Sequence, residues 1–358
     1  MSAGEMTATG RPVRAPLWSS VGGGVVIVVL MAMPFLVEQS ATTEMVHLFI
    51  LVVIASMWNL LAGYAGLISV GQQAYIGLGA YAGLFFALRG VQPYIAVVLG
   101  AIVCGIIAIP GSWLALRLRG DYFAVGTWVI AEVVRLVVIR FHELGGPSGV
   151  SMTQLNSIDP TTRGALTYWV ALAVLLLTVA GIMVLLRSRL GLALTAVRDN
   201  ETAARSLGVN VPLAKRIVYV VAAAGAGAAG GVLLTYNLGV QPDADFSVQW
   251  SAYMIFIVVI GGIGRVEGPI IGALVFWALE HYLSSQGAWY LIILGLVAVA
   301  AAIWLPKGIW GFFSDRTGIR LFPTGYYVDG LERAASSRSR SSDSDRPSES
   351  TPSEAAHD

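Results

Sequence analysis

The sequence predicts an all-α fold, a polytopic transmembrane helical bundle with about 8–10 spans. Hydrophobic residue types make up 56% of the 358 residues and charged types only 12%, about half the charged share of an ordinary soluble domain. The charges are also clustered, because residues 217–304 contain just five of them. A helix needs about 20 mainly apolar residues to cross a bilayer, and the intervals between these charges are long enough to provide such helices.

Ten apolar stretches are bounded by charged residues or turn residues, and each is a candidate span. Two of them are weaker, since the third is rich in glycine and the eighth is short. Five spans in each half would give the halves opposite orientations, as in an inverted repeat, although no clear sequence match between the halves supports the repeat. In chain order the candidate spans are Val21–Val37, His47–Leu61, Ala74–Leu88, Tyr94–Leu116, Asp121–Ile139, Ala165–Leu186, Ile217–Tyr236, Ser251–Ile263, Pro269–Leu283 and Trp289–Trp304.

The distribution of Lys and Arg predicts the orientation, because these residues collect in cytoplasmic loops. With both termini in the cytoplasm of a bacterial cell, 18 of these cations lie inside and 3 outside. The predicted parts are a cytoplasmic N-terminal segment (1–20), a transmembrane domain (21–304) and a cytoplasmic tail (305–358), with a long cytoplasmic loop at 187–216. The tail is rich in Ser and poor in aromatic residues from about residue 336, which predicts disorder there.

Several classes of function are disfavoured by composition. The single cysteine, Cys104, excludes an intrachain disulfide and a Cys-rich metal site. Neither Lys215 nor Lys307 follows a glycine as a phosphate-binding loop requires, so any ATP must be bound by another chain. A net charge of +1 without a basic run disfavours nucleic acid. No catalytic motif is present, so we expect no enzyme activity, no metal site and no cofactor in this chain.

Residues 63–81 depart from an ordinary lipid-facing helix, because five glycines alternate with three polar side chains. Polar amides and broken helix are tolerated at membrane depth only where protein or a water-filled cavity covers them. The segment is therefore either a discontinuous helix that lines a solute path or a close helix crossing through small residues. The candidate path residues are Gly66, Ser69, Gly71, Gln72 and Gln73.

The long cytoplasmic loop predicts a helical hairpin. Asp199 or Asn200 can cap a second helix that begins at Glu201, and Gly208 can end it in the left-handed conformation. The hairpin either lies on lipid headgroups or docks its apolar stripe into a partner's groove, and the central charges Arg198 and Glu201 favour docking. The predicted stripe consists of Leu190, Leu194, Val197, Ala204 and Leu207.

Glu132 and Arg135 lie three residues apart inside the fifth span, where they can pair and reduce each other's cost of burial. Glu132 is 11 residues beyond Asp121, which is about 16 Å along a helix and close to the middle of a bilayer. Ionisable residues at this depth indicate function. The pair is either a fixed structural ion pair or a mobile gating pair.

An ordered set of motifs resembles the permease subunits of bacterial branched-chain amino acid ABC importers, particularly the longer of the two subunits that pair in each system. The set extends from about Trp58 to Gly308, some 70% of the chain. The matching motifs are Trp58–Gly66, Ser69–Tyr81, Gly120–Phe123, Glu132–Arg135, Gly145–Gly149, Ser188–Gly191 through Gly208, Pro242–Asp243, Phe246–Ser247, Gly261–Gly264, Gly268–Gly272 and Pro306–Gly308.

The resemblance implies a pore-forming subunit in the cell membrane that pairs with a second permease. It also implies two cytoplasmic ATPase subunits, which carry ATP and magnesium, and an extracytoplasmic solute-binding protein. In the family, a Glu-x-Ala-Ala-x-x-x-Gly region couples the permease to the ATPase. The matching residues here are Glu201, Ala203, Ala204 and Gly208.

Two alternatives to branched-chain amino acid import stay open from sequence. Many members of the family have His where this chain has Gln72, so a permease for urea or short-chain amides on the same scaffold is one alternative. An ion-coupled secondary carrier is the other, although such carriers usually need midplane carboxylates. Here Glu132 is the one deep carboxylate in the predicted spans, and it has a cationic neighbour.

Overall fold

The computed structural model describes residues 10–12, 17–283, 289–305, 307–317 and 326–328. The tail from about residue 336, where the sequence predicts disorder, lies outside these residues. The chain divides into two compact units, one formed by residues 1–15 with 323–358 and the other by residues 16–322. In the first unit, strand β1 (Gly10–Pro12) pairs antiparallel with strand β4 (Tyr326–Val328), a pairing that the all-α prediction did not include.

The second unit is helical apart from a two-stranded antiparallel pair, β2 (Val150–Ser151) with β3 (Gly239–Val240). The helices described in it are α1 (Leu17–Leu36), α2 (Gln39–Asn59), α3 (Gln73–Leu88), α4 (Pro93–Ala115), α5 (Asp121–Val138), α6 (Pro160–Arg187), α7 (Arg189–Asp199), α8 (Glu201–Ser206), α9 (Val211–Asn237), α10 (Pro242–Asp245), α11 (Val248–Gly261), α12 (Gly268–Leu283), α13 (Trp289–Trp304) and α14 (Gly308–Thr317).

Each of the ten predicted spans coincides with an apolar helix. Six helical stretches in the described part of the chain are long and apolar enough to cross a membrane alone. A seventh forms if α5 is joined to the bent segment His142–Ser148, and three apolar helices are shorter, namely Gly23–Leu36, α3 and α12. The six long stretches are Gln39–Tyr64, Pro93–Ala115, Pro160–Arg187, Val211–Asn237, Pro242–Gly261 and Ile292–Ser314. The prediction of a polytopic helical bundle is confirmed.

Local sequence explains where the long helices begin. Helices α4, α6 and α9 each have a proline in the first turn, where its missing N–H leaves no hydrogen bond unmade. At the start of α6, Asp159 accepts hydrogen bonds from the Thr161 hydroxyl and from the Thr161 and Thr162 amides. These bonds hold the pKa of Asp159 below its ordinary value, because they favour the charged carboxylate.

Helix α9 lies at the centre of the bundle, where small residues let α3 and α4 approach it closely. A Cβ atom on Gly230 would lie 1.9 Å from the carbonyl oxygen of Ile76, and one on Gly79 would lie 2.1 Å from that of Gly227. Backbone therefore packs directly on backbone at this crossing. Residues 63–81 were predicted to form either a discontinuous helix or a close helix crossing. The close crossing applies to the part of this segment that lies in α3, from Gln73 onward.

We expect Gly230→Ala to destabilise the bundle by about 1–3 kcal/mol, because the added methyl group would displace the backbone of α3. The matched control is Gly181→Ala on α6, since a Cβ there meets no atom within 4 Å. Thermal unfolding of both purified variants in the same detergent measures the difference. Equal unfolding midpoints for the two variants would contradict the close crossing of α3 and α9.

Candidate functional site

The regular α-helix is interrupted between α2 and α3. Helix α2 continues into a wide π-helical turn, Leu60–Tyr64, of a kind often found at functional sites. Gly66 then takes a φ of +66°, and the Leu67 amide donates back to the carbonyl of Leu61 over 2.9 Å. The Trp58 indole donates to the carbonyl of Ser69 over 2.8 Å. The connecting residues 65–72, which we call the break, therefore return along the last turns of α2.

Side chains from two other helices satisfy the backbone of the break. The Val70 amide donates to the Thr127 hydroxyl of α5 over 3.2 Å. The Ser251 hydroxyl of α11 donates to the Val70 carbonyl over 3.2 Å and also bonds to the side-chain oxygen of Gln73. A Cβ on Gly71 would lie 2.1 Å from the carbonyl oxygen of Thr127. The break is thus held between α5 and α11, as membrane depth requires of irregular backbone.

The five predicted path residues lie together in the break and at the start of α3. Gly66 is exposed, whereas Ser69, Gly71 and Gln73 are buried within the chain. Gln72 is completely buried, and neither polar atom of its side chain has a hydrogen-bond partner among the described residues. A buried amide without a partner costs about 1–3 kcal/mol, so Gln72 is suited to receive water or a polar solute.

The predicted helical hairpin is present as α7 and α8, which we call the coupling segment together with the turn at Gly208. The Ala203 amide donates to the Asn200 side-chain oxygen over 3.0 Å, so Asn200, and not Asp199, caps α8. Gly208 takes a φ of +84°, the left-handed conformation expected after the helix end.

The predicted apolar stripe of the coupling segment is only partly correct. Leu194, Val197 and Ala204 are buried against the chain's own helices, so they do not present a face to a partner. Leu207 does not lie on the apolar face, because α8 ends at Ser206, and its side chain is 81% exposed. Among the residues assigned to coupling by resemblance, Ala203 and Gly208 are exposed and Ala204 is interior.

Glu201 fixes α8 to α9. Its carboxylate accepts a hydrogen bond from the Lys215 ammonium at 2.7 Å and another from Arg205 at 2.8 Å. The bond from Lys215, more than that from Arg205, holds the pKa of Glu201 below its ordinary value. A lowered folded-state pKa means that these contacts are present at neutral pH and are lost only as the pH falls through that lowered value.

The coupling segment also contacts the end of α2. The Arg198 guanidinium of α7 donates to the carbonyl of Gly63 in the π-helical turn over 3.2 Å and to Asp199 over 3.1 Å. A Cβ on Gly63 would lie 2.5 Å from the Gly264 nitrogen, so the loop between α11 and α12 packs on the same turn. Arg198 therefore joins the coupling segment to the place where the break begins.

Asn59, which has no role assigned from the sequence beyond its place in the Trp58–Gly66 motif, holds the α11–α12 loop. Its side-chain oxygen accepts from the Gly264 amide at 2.8 Å, and its side-chain nitrogen donates to the Arg265 carbonyl at 2.8 Å. Two sequence features could have pointed to this contact. Asn59 is a polar residue at the end of an apolar run, and the glycine-rich turn Gly261–Gly264 needs hydrogen-bond partners for its backbone. Nothing in the sequence indicated that the two lie together.

Glu132 and Arg135 are in contact, with 2.6 Å between Arg135 Nη2 and Glu132 Oε1. Asp243 of α10 was not predicted as a member of this group, yet its Oδ1 lies 2.8 Å from Arg135 Nη1. Glu132 lies 11 residues after the start of α5 and six before its end at Val138. Arg135 therefore links α5 to the segment that precedes α11.

A multi-pass helical bundle with a polar break held between two of its helices is an arrangement that membrane transporters use. The chain belongs to the family described as branched-chain amino acid transport system permease component, whose sequence profile matches residues 41–302.

Several known transport permeases resemble the chain. It is 28% identical to the high-affinity branched-chain amino acid transport permease LivM of Salmonella typhimurium, covering 79% of this chain and 73% of that protein. It is 26% identical to a probable LivM of Methanocaldococcus jannaschii over about half of each protein, 51% and 52%. A shorter match, 31% identical over 32% of this chain and 38% of the relative, is to the ribose import permease RbsC of Escherichia coli. No solved structure is significantly similar.

We expect Asn59→Leu to release the α11–α12 loop, because the Gly264 amide and the Arg265 carbonyl both lose their contacts with Asn59. An unpaired Gly264 amide costs about 1–3 kcal/mol, so hydrogen–deuterium exchange at that amide should rise about tenfold or more. The control is Asn156→Leu, at an exposed position. Unchanged protection in Asn59→Leu would show that Asn59 does not hold the loop.

Proposed function

We propose that this chain is a pore-forming permease subunit of an ATP-driven importer for branched-chain aliphatic amino acids. It pairs with a second permease in the cytoplasmic membrane, with both termini in the cytoplasm. Two ATPase subunits bind ATP and magnesium, and an extracytoplasmic binding protein delivers the solute. Family membership supports the transporter class, and the names of the LivM relatives support the solute.

The observation that carries the mechanism is the hydrogen bond from Arg198 to the carbonyl of Gly63. The exposed face of the coupling segment, with Ala203, Leu207 and Gly208, is the surface that a partner ATPase contacts. A displacement of this segment is passed to the π-helical turn through Arg198 and to α9 through the pairing of Glu201 with Lys215. One partner movement thus acts on two helices of the bundle.

The solute path in this proposal lies beside the break and the start of α3. In the present conformation most of the break is buried, so the path opens when α3 moves away from α5 and α11. That movement exchanges contacts such as Val70 with Thr127 and Ser251 with Gln73 for contacts with solute or water. The unpartnered amide of Gln72 then offers both a donor and an acceptor.

The proposal is tested by co-purifying the chain with its partners, reconstituting the complex in vesicles and measuring radiolabelled leucine uptake. We expect accumulation that requires ATP, persists when the proton gradient is collapsed, and is competed by isoleucine and valine. Competition by urea or acetamide instead would support the amide alternative. Uptake by the chain alone, without ATPase subunits and driven by the proton gradient, would contradict the proposal.

We expect Arg198→Gln to uncouple ATP hydrolysis from uptake. The variant loses the charge-assisted hydrogen bond to the Gly63 carbonyl, worth at most about 1.5–3 kcal/mol, so we expect less leucine to be transported per ATP hydrolysed while ATP hydrolysis itself continues. Arg189→Gln, at an exposed position in the first turn of α7, is the matched control. An Arg198→Gln complex that keeps the transport ratio of the control would exclude this residue from coupling.

A further inference from the structure

A cavity of about 930 Å³ opens between the coupling segment and the α4–α5 connection. It is bounded by the break, the end of α4, the start of α5, α8 and the first turn of α9, and we call it the basic basin. Five cations line it against two carboxylates. The cations are Arg117, Arg119, Arg205, Lys215 and Arg216, and the carboxylates are Asp121 and Glu201.

The charges of the basic basin are not balanced within the described residues. Glu201 is already engaged by Lys215 and Arg205, so Asp121 is the other carboxylate in a lining that also holds Arg117, Arg119 and Arg216. The Nε of Arg216 is buried and has no hydrogen-bond partner in the described part of the chain. A buried donor on a charged group is costly when left unpaired, so this nitrogen indicates an anionic acceptor that the chain itself does not provide.

One side of the basin is apolar. The Arg216 guanidinium lies 4.5 Å from the ring centroid of Trp113, and Trp113 is itself 55% exposed. Ile68 and Leu118 also line the basin with exposed side chains. Tryptophan with exposed aliphatic residues beside arginine is typical of the boundary between hydrocarbon and headgroups. A ligand that fits both sides has an anionic end and an apolar end.

We propose that the basic basin binds the phosphate-bearing headgroup of an anionic phospholipid from the leaflet on the side of the coupling segment. Arg117, Arg119 and Arg216 contact the phosphate, and the first acyl carbons lie against Trp113 and Leu118. Basic pockets between transmembrane helices are suited to anionic headgroups in this way. The bound headgroup stabilises the position of α8 against the α4–α5 connection. Because the ligand is a lipid, the proposal does not depend on which solute is transported.

Native mass spectrometry of the purified full chain, exchanged into mixed micelles of phosphatidylglycerol and phosphatidylcholine with matched acyl chains, tests the site. We expect wild type to retain phosphatidylglycerol preferentially. The preference should fall about fivefold for each arginine removed, in Arg216→Gln and in Arg117→Gln/Arg119→Gln. The control is Arg140→Gln/Arg163→Gln. It removes two cations that do not line the basin, one just after the end of α5 and one in the first turn of α6, and it should leave the preference unchanged.

Arg216→Lys distinguishes loss of charge from a folding defect. It removes the guanidinium over Trp113 but keeps the positive charge that attracts the phosphate, so it should keep most of the preference. Equal retention of the two lipids by wild type, or a glutamine variant that still prefers phosphatidylglycerol as wild type does, would overturn the proposal. A third arm offers soluble glycerol 3-phosphate without lipid. Retention of that anion as strong as retention of phosphatidylglycerol would assign the basin to a soluble phosphate and would also overturn the lipid site. None of these measurements requires a partner chain, so their failure is distinct from failure of the transport proposal.

Discussion

The structure depends on one constraint, which is that backbone without helical hydrogen bonds must be satisfied by protein when it lies at membrane depth. The break between α2 and α3 meets this constraint with three side chains, Trp58, Thr127 and Ser251, each from a different helix. The positions of α5 and α11 follow from it, because each must approach closely enough to reach the same short segment. Gly71 permits that approach, since any larger residue would overlap the backbone of α5.

The same region explains how two distant parts of the sequence can act together. The π-helical turn is contacted by Arg198 from one side and by the α11–α12 loop from the other, and Asn59 fixes that loop. In the proposed mechanism a movement of the coupling segment therefore acts on the base of the break without any intervening flexible chain. The proposed lipid headgroup would act on the same segment, because Glu201 and Arg205 border the basic basin.

Features that depend on local pattern were predictable from the sequence. The ten apolar helices follow from runs of hydrophobic residues, and a cap at Asp199 or Asn200 and the Gly208 helix end follow from residue type and spacing, although only the structure selects Asn200. Contacts across long separations were not predictable, as with Arg135 and Asp243, 108 residues apart, or Asn59 and Arg265, 206 apart. Hydrophobic periodicity reports which face of a helix is apolar, but it does not report which helix covers that face. For this reason the stripe through Leu194 and Ala204 was identified, whereas its burial against the chain's own bundle was not.

The π-helical turn at Leu60–Tyr64 has a consequence for how the sequence can change over evolution. Such a turn holds an extra residue compared with an α-helical turn, and each residue of an α-helix advances the direction of side chains by about 100°. A homologue with one residue fewer here would close the turn into regular α-helix and still bring Ala65 to the same place. The same deletion within α4 would rotate every later side chain of that helix away from α3 and α9. Length variation among related sequences should therefore be tolerated at this turn and excluded from the central helices.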